Sequence, residues 1–153
     1  MLTTIIIDDE APARNVLKEM IEATGLPVTI LAMAEDVPGG VKAINKYNPD
    51  FIFLDIEMPQ YNGFQLLDFF DTIHFDIIFA TAYSEYAVQA FQVSAVDYLV
   101  KPIQLDYLIS AIERVQQNQH ATKERYDVLK KNNAAKEIQR LALPVTNGLL
   151  FAD

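Results

Sequence analysis

The sequence predicts an α/β fold with a doubly wound parallel sheet, and three observations carry that expectation. Short apolar, β-branched runs recur five times, each followed by a longer amphipathic stretch, as in a succession of βα units. The runs are apolar throughout rather than at every second residue, which marks strands buried on both faces beneath helices. Carboxylate, hydroxyl and amine side chains stand just past several runs, where open α/β sheets place their ligands.

The elements follow in order. Residues 4–7, Thr-Ile-Ile-Ile, open the sheet, and a helical pattern follows over 12–23, with Pro12 suited to a first turn and Gly25 to a C-terminal cap. Residues 28–32 predict a second strand, and 37–47 a second helix closed by Asn48-Pro49. Residues 51–54 predict a third strand and 63–71 a third helix. Residues 77–80 predict a fourth strand, with Ser84 placed to cap a helix running to about Phe91. Residues 97–100 predict a fifth strand, and a fifth helix begins just past Pro102.

That last helix is long, because neither Gly nor Pro occurs from Ile103 to Leu143. Leu105, Leu108, Ile112 and Val115 keep a core-facing spacing, whereas the same phase then passes through Gln119 and Thr122. The expected organisation is one domain over 1–118 and a helical linker over 119–138, with marginal coiled-coil character. Beyond it, two apolar runs flank Asn147-Gly148, a hairpin signal in a segment too small to fold alone. Residues 139–153 are therefore expected to begin a further domain.

Composition excludes several classes. With 153 residues, 51% hydrophobic and 22% charged, the chain suits one domain with a real core. No cysteine is present, so disulfides and thiolate chemistry are excluded. No apolar run approaches membrane-spanning length, and Met1-Leu2-Thr3-Thr4 has no signal-peptide character; the expectation is a cytoplasmic protein without a membrane partner. A net charge of −9 argues against nucleic-acid binding by this segment, which would need clustered Lys and Arg.

Asp8-Asp9-Glu10 follows the first strand and Asp55 the third. Neighbouring parallel strands lie roughly 5 Å apart, so these carboxylates can share one hard cation such as magnesium. Taken singly, each has a plainer explanation: acids favour a helix N-terminus, and an aspartate after a strand commonly starts a loop. Their joint arrival at one sheet edge favours the metal reading. Thr81 and Lys101, at the ends of the fourth and fifth strands, would add a hydroxyl and an ammonium suited to phosphoryl oxygens.

These motifs together, Ile7-Asp8-Asp9-Glu10, Phe53-Leu54-Asp55-Ile56-Glu57-Met58-Pro59 with Asn62-Gly63, Ala80-Thr81-Ala82 and Asp97-Tyr98-Leu99-Val100-Lys101-Pro102, resemble the response-regulator receiver family of two-component systems over about residues 3–116. The resemblance implies a flavodoxin-like strand order 2-1-3-4-5 and Mg2+ held by Asp8, Asp9 (more directly), Asp55 and the backbone carbonyl of Glu57. It implies that Asp55 is the phosphoacceptor, that Thr81 and Lys101 bind the phosphoryl oxygens, that Thr81 and Tyr98 form the switch, and that the Lys101–Pro102 bond is cis. The implied partner is a sensor histidine kinase, and the implied chemistry goes no further than Mg2+-dependent self-phosphorylation and slow self-dephosphorylation.

Tyr83-Ser84-Glu85-Tyr86-Ala87 and the tail Arg140-Leu141-Ala142-Leu143-Pro144-Val145 look like the LytTR (LytR/AlgR) subgroup, implying a transcription regulator that reaches DNA only through a domain absent from this chain. A fourth helix with little polar face (Tyr86, Ala87, Val88, Ala90, Phe91, Val93) suggests a homodimer through the fourth helix, fifth strand and fifth helix. The alternative is a stand-alone receiver acting only by protein binding. A haloacid-dehalogenase-type enzyme would need aspartate where Glu57 stands, and a flavodoxin would need a Ser/Thr/Gly-rich loop in place of Asp8-Asp9-Glu10.

Overall fold

The computed structural model describes residues 1–132. Five strands alternate with five helices: β1 (Leu2–Ile7), α1 (Ala11–Ala23), β2 (Val28–Ala34), α2 (Val37–Tyr47), β3 (Phe51–Leu54), α3 (Gly63–Leu66) continued by a 3-10 turn (Leu67–Phe69), β4 (Asp76–Thr81), α4 (Ala87–Gln92), β5 (Asp97–Val100) and α5 (Leu105–Asn132). All strand pairs are parallel, and the order is β2-β1-β3-β4-β5. The doubly wound, flavodoxin-like sheet is thus as expected.

The continuous apolar runs are explained by where alternate residues go. Ile5, Ile7, Ile52, Leu54, Ile77 and Phe79 pack on one face with Val37 and Ile44 of α2, Leu66 of α3 and Ala90 of α4. Ile6, Phe51, Phe53, Ile78 and Leu99 pack on the other with Leu17 and Ile21 of α1 and Leu108, Ala111, Ile112 and Val115 of α5. Every one of these side chains is nearly or fully buried, so an unpartnered polar group on either face costs stability. One compact unit spans Met1–Val115.

Local chemistry sets the boundaries. Asp36 caps α2 by accepting from the Gly39 amide at 2.7 Å, with Pro38 in the first turn. Asn62 and Gln65 form a reciprocal capping box on α3. Gly25, at φ +71°, takes the left-handed position just after α1.

Three expectations need correction. Ser84 does not cap α4: the N-cap is Tyr86, without a side-chain bond, and the Ser84 carbonyl instead accepts from the Ala87 amide at 3.4 Å. The third helix is a single turn that tightens to 3-10 geometry and ends at Phe69 rather than Asp71. Leu105 is 40% exposed; it stands at the first residue of α5, and Ile103 packs against the core two residues earlier. The expected hairpin around Asn147-Gly148 lies outside the described residues. Among the described residues, no helix is long and apolar enough to cross a membrane.

Thr4 is completely buried in β1 and its hydroxyl has no hydrogen-bond partner. A stranded buried hydroxyl costs stability that an isosteric methyl does not. Thr4→Val is therefore expected to leave the unfolding free energy unchanged or to raise it by up to about 1 kcal/mol in urea melts.

Candidate functional site

Parallel pairing brings the ends of four strands to one edge of the sheet. Ile7 lies beside Leu54, so the residues that follow, Asp8 and Asp55, emerge side by side. The register continues to Thr81 beside Val100, which delivers Lys101 to the same edge. The Lys101–Pro102 peptide is cis, as expected. The backbone holds the edge through Asp8 N to the Ala34 carbonyl, Asp55 N to the Ile7 carbonyl (both 3.0 Å) and Lys101 N to the Thr81 carbonyl (2.8 Å).

Asp8, Asp9 and Asp55 each present a carboxylate oxygen within 4.8 Å of the others. Asp8 and Asp55 are buried and Asp9 half-buried. The Lys101 ammonium donates to Asp8 Oδ2 at 2.6 Å and reaches Asp55 Oδ2 at 3.3 Å. The remaining oxygens are oriented by backbone: Asp55 Oδ1 accepts from the Ile56 amide at 2.7 Å, and Asp8 Oδ1 from the Glu10 amide at 3.0 Å.

Three buried or half-buried carboxylates against one ammonium leave the cluster short of positive charge. Burial raises the Asp55 carboxyl above its usual range; Lys101 opposes that shift and the negative charge of Asp8 adds to it. Burial pulls Lys101 downward, but its hydrogen bond to Asp8 and the charges of Asp55 and Asp8 outweigh this, so the net shift is upward. The lysine is thus a fixed cation at neutral pH, while burial works against the charged form of Asp55.

A stability consequence follows. Because the folded Asp55 pKa lies above the unfolded value, its stabilising contribution is complete below pH 3.8 and is lost as pH rises through the folded pKa. Asp55→Asn has no such loss. In EDTA at pH 7 it is expected to melt above the wild type, and the gap should close toward pH 3.

Thr81 lies beside this cluster, fully buried, with a hydroxyl that makes no hydrogen bond of normal geometry. It is near enough to Asp55 to favour the carboxylate form slightly. A buried, unpaired hydroxyl at a site edge is a donor awaiting an acceptor. Tyr98 of β5 is half-buried, and its hydroxyl donates to the carbonyl of Tyr83, two residues beyond Thr81. Glu57 is exposed, and its carboxylate accepts a 2.5 Å hydrogen bond from the Tyr86 hydroxyl; that bond pushes the phenol up to about 12.

Asp8, Asp9, Asp55 and Lys101 therefore come together at this edge with Thr81 beside them, whereas the Tyr98 hydroxyl is engaged by Tyr83 and the Glu57 side chain by Tyr86. Three contributors were not foreseen. Arg14 of α1 donates to the Asp8 carbonyl at 2.6 Å, steadying the acidic loop from behind; five residues past Asp9, it carries no motif signal. Tyr86 belongs in the sequence to the Tyr83-Ser84-Glu85-Tyr86-Ala87 motif and to an apolar helix face, neither of which gives it a role at the site. Gly63, a helix start and part of the Asn62-Gly63 motif, is also a point of close approach: a Cβ there would stand 2.4 Å from the Asp55 carbonyl oxygen and 3.1 Å from Ile56 Cα.

A doubly wound sheet carrying this acidic edge, with threonine and lysine on the neighbouring strands, defines a signalling receiver. The chain matches the response regulator receiver domain family over residues 4–113 and belongs to it. It is accordingly the receiver domain of a response regulator in two-component signalling. It is 32% identical over 155 residues to the sensory transduction protein LytT of Bacillus anthracis, an alignment covering all of this chain and 63% of that protein. Among solved structures it resembles the response regulatory domain of protein mrkE from Klebsiella pneumoniae, with TM-score 0.71, 30% identity and coverage of 78% of this chain and 99% of that one. It likewise resembles response regulator protein TrrA from Thermotoga maritima in complex with Mg2+-BeF, with TM-score 0.66, 30% identity and coverage of 75% and 99%. The chain spans 48–63% of the length of the first curated relatives it matches.

Proposed function

We propose that the chain accepts a phosphoryl group on Asp55 from a sensor histidine kinase and relays that event to the output of a transcription regulator. The observation that carries this reading is the convergence of Asp8, Asp9 and Asp55 within 4.8 Å, with Lys101 reaching two of them. Asp8, Asp9 and Asp55, with the Glu57 backbone carbonyl, would hold Mg2+. The shortage of positive charge at this edge and the hard oxygen donors suit that ion, and TrrA was solved with Mg2+-BeF. Bound there, Mg2+ would supply neutralising charge to the transferring phosphoryl oxygens.

Phosphoryl transfer asks mainly for positioning and charge stabilisation. Asp55 supplies the attacking oxygen, fixed by the Ile56 amide on its other oxygen. The phosphorus–nitrogen bond of the donor phosphohistidine breaks, a phosphorus–oxygen bond forms on Asp55, and the imidazole leaves with the electron pair and takes up a proton. Lys101, charged at neutral pH, turns from its carboxylate partners toward the new oxygens. Thr81 supplies the unpaired hydroxyl as a donor, and its movement would favour an inward Tyr98, shifting an existing equilibrium. The chemistry of the domain goes no further than this and a slow return by hydrolysis.

The output side would be α4, β5 and α5. Phe91 and Val88 are 82% and 71% exposed while Ala90 of the same helix is buried, which leaves α4 an apolar outer face suited to a second copy of the domain. DNA binding would fall to a LytTR-type domain beginning in residues 139–153, joined by a linker over 119–138 to a receiver over 1–118, in the cytoplasm. LytT, a sensory transduction protein aligned with all of this chain, supports that reading.

The test is intact-mass spectrometry after incubation with a small phosphodonor. A phosphoryl adduct is expected on the wild type with Mg2+, none in EDTA and none on Asp55→Asn. Thr81→Val should still take up the phosphoryl group and melt no lower than the wild type, because it removes an unpaired buried hydroxyl, but it should lose phosphorylation-dependent dimerisation in ultracentrifugation. An equal adduct on Asp55→Asn would overturn the proposal.

A further inference from the structure

The hydrogen bond between Tyr86 and Glu57 joins the loop after β3 to the N-terminus of α4. Glu57 lies in the loop after β3, two residues beyond Asp55. Tyr86 is the N-cap residue of α4, on the proposed output side. The contact is short, at 2.5 Å, and charge-assisted. Its donor is held in place: the Tyr86 ring packs edge-on against Phe64 of α3, with centroids 6.2 Å apart, and lies 6.3 Å from Tyr83. Phe64 in turn packs on Phe79 of β4 at 4.9 Å. The ring is therefore anchored in the hydrophobic layer while its hydroxyl reaches outward, which reduces the entropy cost of holding an exposed carboxylate.

We propose that Tyr86 is a positioning residue for the metal site: by holding the Glu57 side chain it fixes the loop whose backbone carbonyl would serve as a ligand, and so couples Mg2+ binding to the N-terminus of α4. The inference rests on the proposed Mg2+ site and adds to it a second link to the output face, separate from Thr81 and Tyr98. Partners that orient a metal ligand commonly change metal affinity 10- to 100-fold when removed. A contact acting on a backbone ligand through an exposed side chain belongs below that range, and about 3- to 10-fold is expected. Coupling is reciprocal, so Mg2+ must also alter the environment of α4.

The experiment is a Mg2+ titration followed by amide NMR on the wild type, Tyr86→Phe, Glu57→Ala and the double variant. Tyr86→Phe is expected to raise the Mg2+ dissociation constant about 3- to 10-fold with little change in metal-free Tm. It should also abolish the Mg2+-induced shifts of the Ala87–Gln92 amides while keeping those of Asp9 and Ile56. In the Glu57→Ala background, adding Tyr86→Phe should change the affinity by less than about 1.5-fold, because a residue acting only through Glu57 has nothing left to act on. Unchanged affinity for Tyr86→Phe in the wild-type background, an equal effect in both backgrounds, or α4 shifts that persist would overturn the proposal. Failure of the wild type itself to bind Mg2+ saturably would instead overturn the metal site, and this proposal with it.

Discussion

Lys101→Ala is expected to destabilise the metal-free protein by about 3 kcal/mol at pH 7, the usual scale for removing one partner of a buried charge cluster. Its ammonium is the group that stands between Asp8 and Asp55, whose side chains are 7% and 8% exposed. Without it the carboxylates face each other in a poorly solvated edge, and the upward pressure of burial on Asp55 is no longer opposed. The sign with pH is definite. The lysine is raised in the folded state, so its contribution is complete everywhere below its unfolded value of 10.5 and is fully present at neutral pH. The Asp55 carboxyl left behind costs stability as pH rises through its raised folded pKa, so the deficit of the variant should shrink toward pH 4. Urea melts in EDTA at the two pH values check this. Saturating Mg2+ should restore much of the lost stability at pH 7, since a cation bound to the native state alone stabilises it by mass action, yet phosphoryl uptake should remain about 10²- to 10³-fold slower. A deficit that is independent of both pH and Mg2+ would show that Lys101 acts by packing and not by charge.

Gly63→Ala is expected to be the most damaging small substitution near the site. The added methyl would meet the Asp55 carbonyl oxygen at 2.4 Å, and that neighbour is backbone, which cannot rotate aside. The same loop is pinned by the Gly63 amide donating to the Ile56 carbonyl at 2.8 Å, so relief requires moving the phosphoacceptor segment itself. Overpacking of this kind costs about 2–3 kcal/mol, equivalent to a fall in Tm on the order of 10 °C. Phosphoryl uptake should fall further than stability does, because a displacement of about 1 Å at a reacting group is worth on the order of 10²-fold in rate. Gly40 gives the contrast. The three atoms nearest a Cβ there all belong to the Ile7 side chain, the first at 2.7 Å, so Gly40→Ala should cost stability by displacing that side chain while leaving the relative rate of uptake near that of the wild type.

The strands were legible in the sequence because burial on both sheet faces leaves an unbroken apolar run, and such runs have no other ready explanation in a water-exposed domain. Asp8, Asp9, Asp55, Thr81 and Lys101 were legible because each follows one of those runs, so the sheet does the work of bringing them together. Strand order was not readable from periodicity and came from the resemblance alone. What escaped were contacts set by tertiary geometry. Ser84 has the chemistry of a cap, but the chain after β4 stays irregular until Tyr86. Leu105 keeps the helical spacing of a core residue, but it begins α5 and Ile103 already occupies the adjoining core position. Arg14 leaves no pattern along the chain, and the motifs that contain Tyr86 and Gly63 do not show what either one touches, because each matters through a neighbour at least six residues away.

The central claim is that Asp55 carries the phosphoryl group. The direct measurement is reductive trapping: the protein is phosphorylated with a small donor and Mg2+, treated with tritiated borohydride to convert the acyl phosphate to homoserine, digested, and the labelled peptide sequenced. The account requires the label at position 55, dependent on Mg2+. Label at Asp8, Asp9 or Glu57, or labelling of equal extent in EDTA, would contradict it.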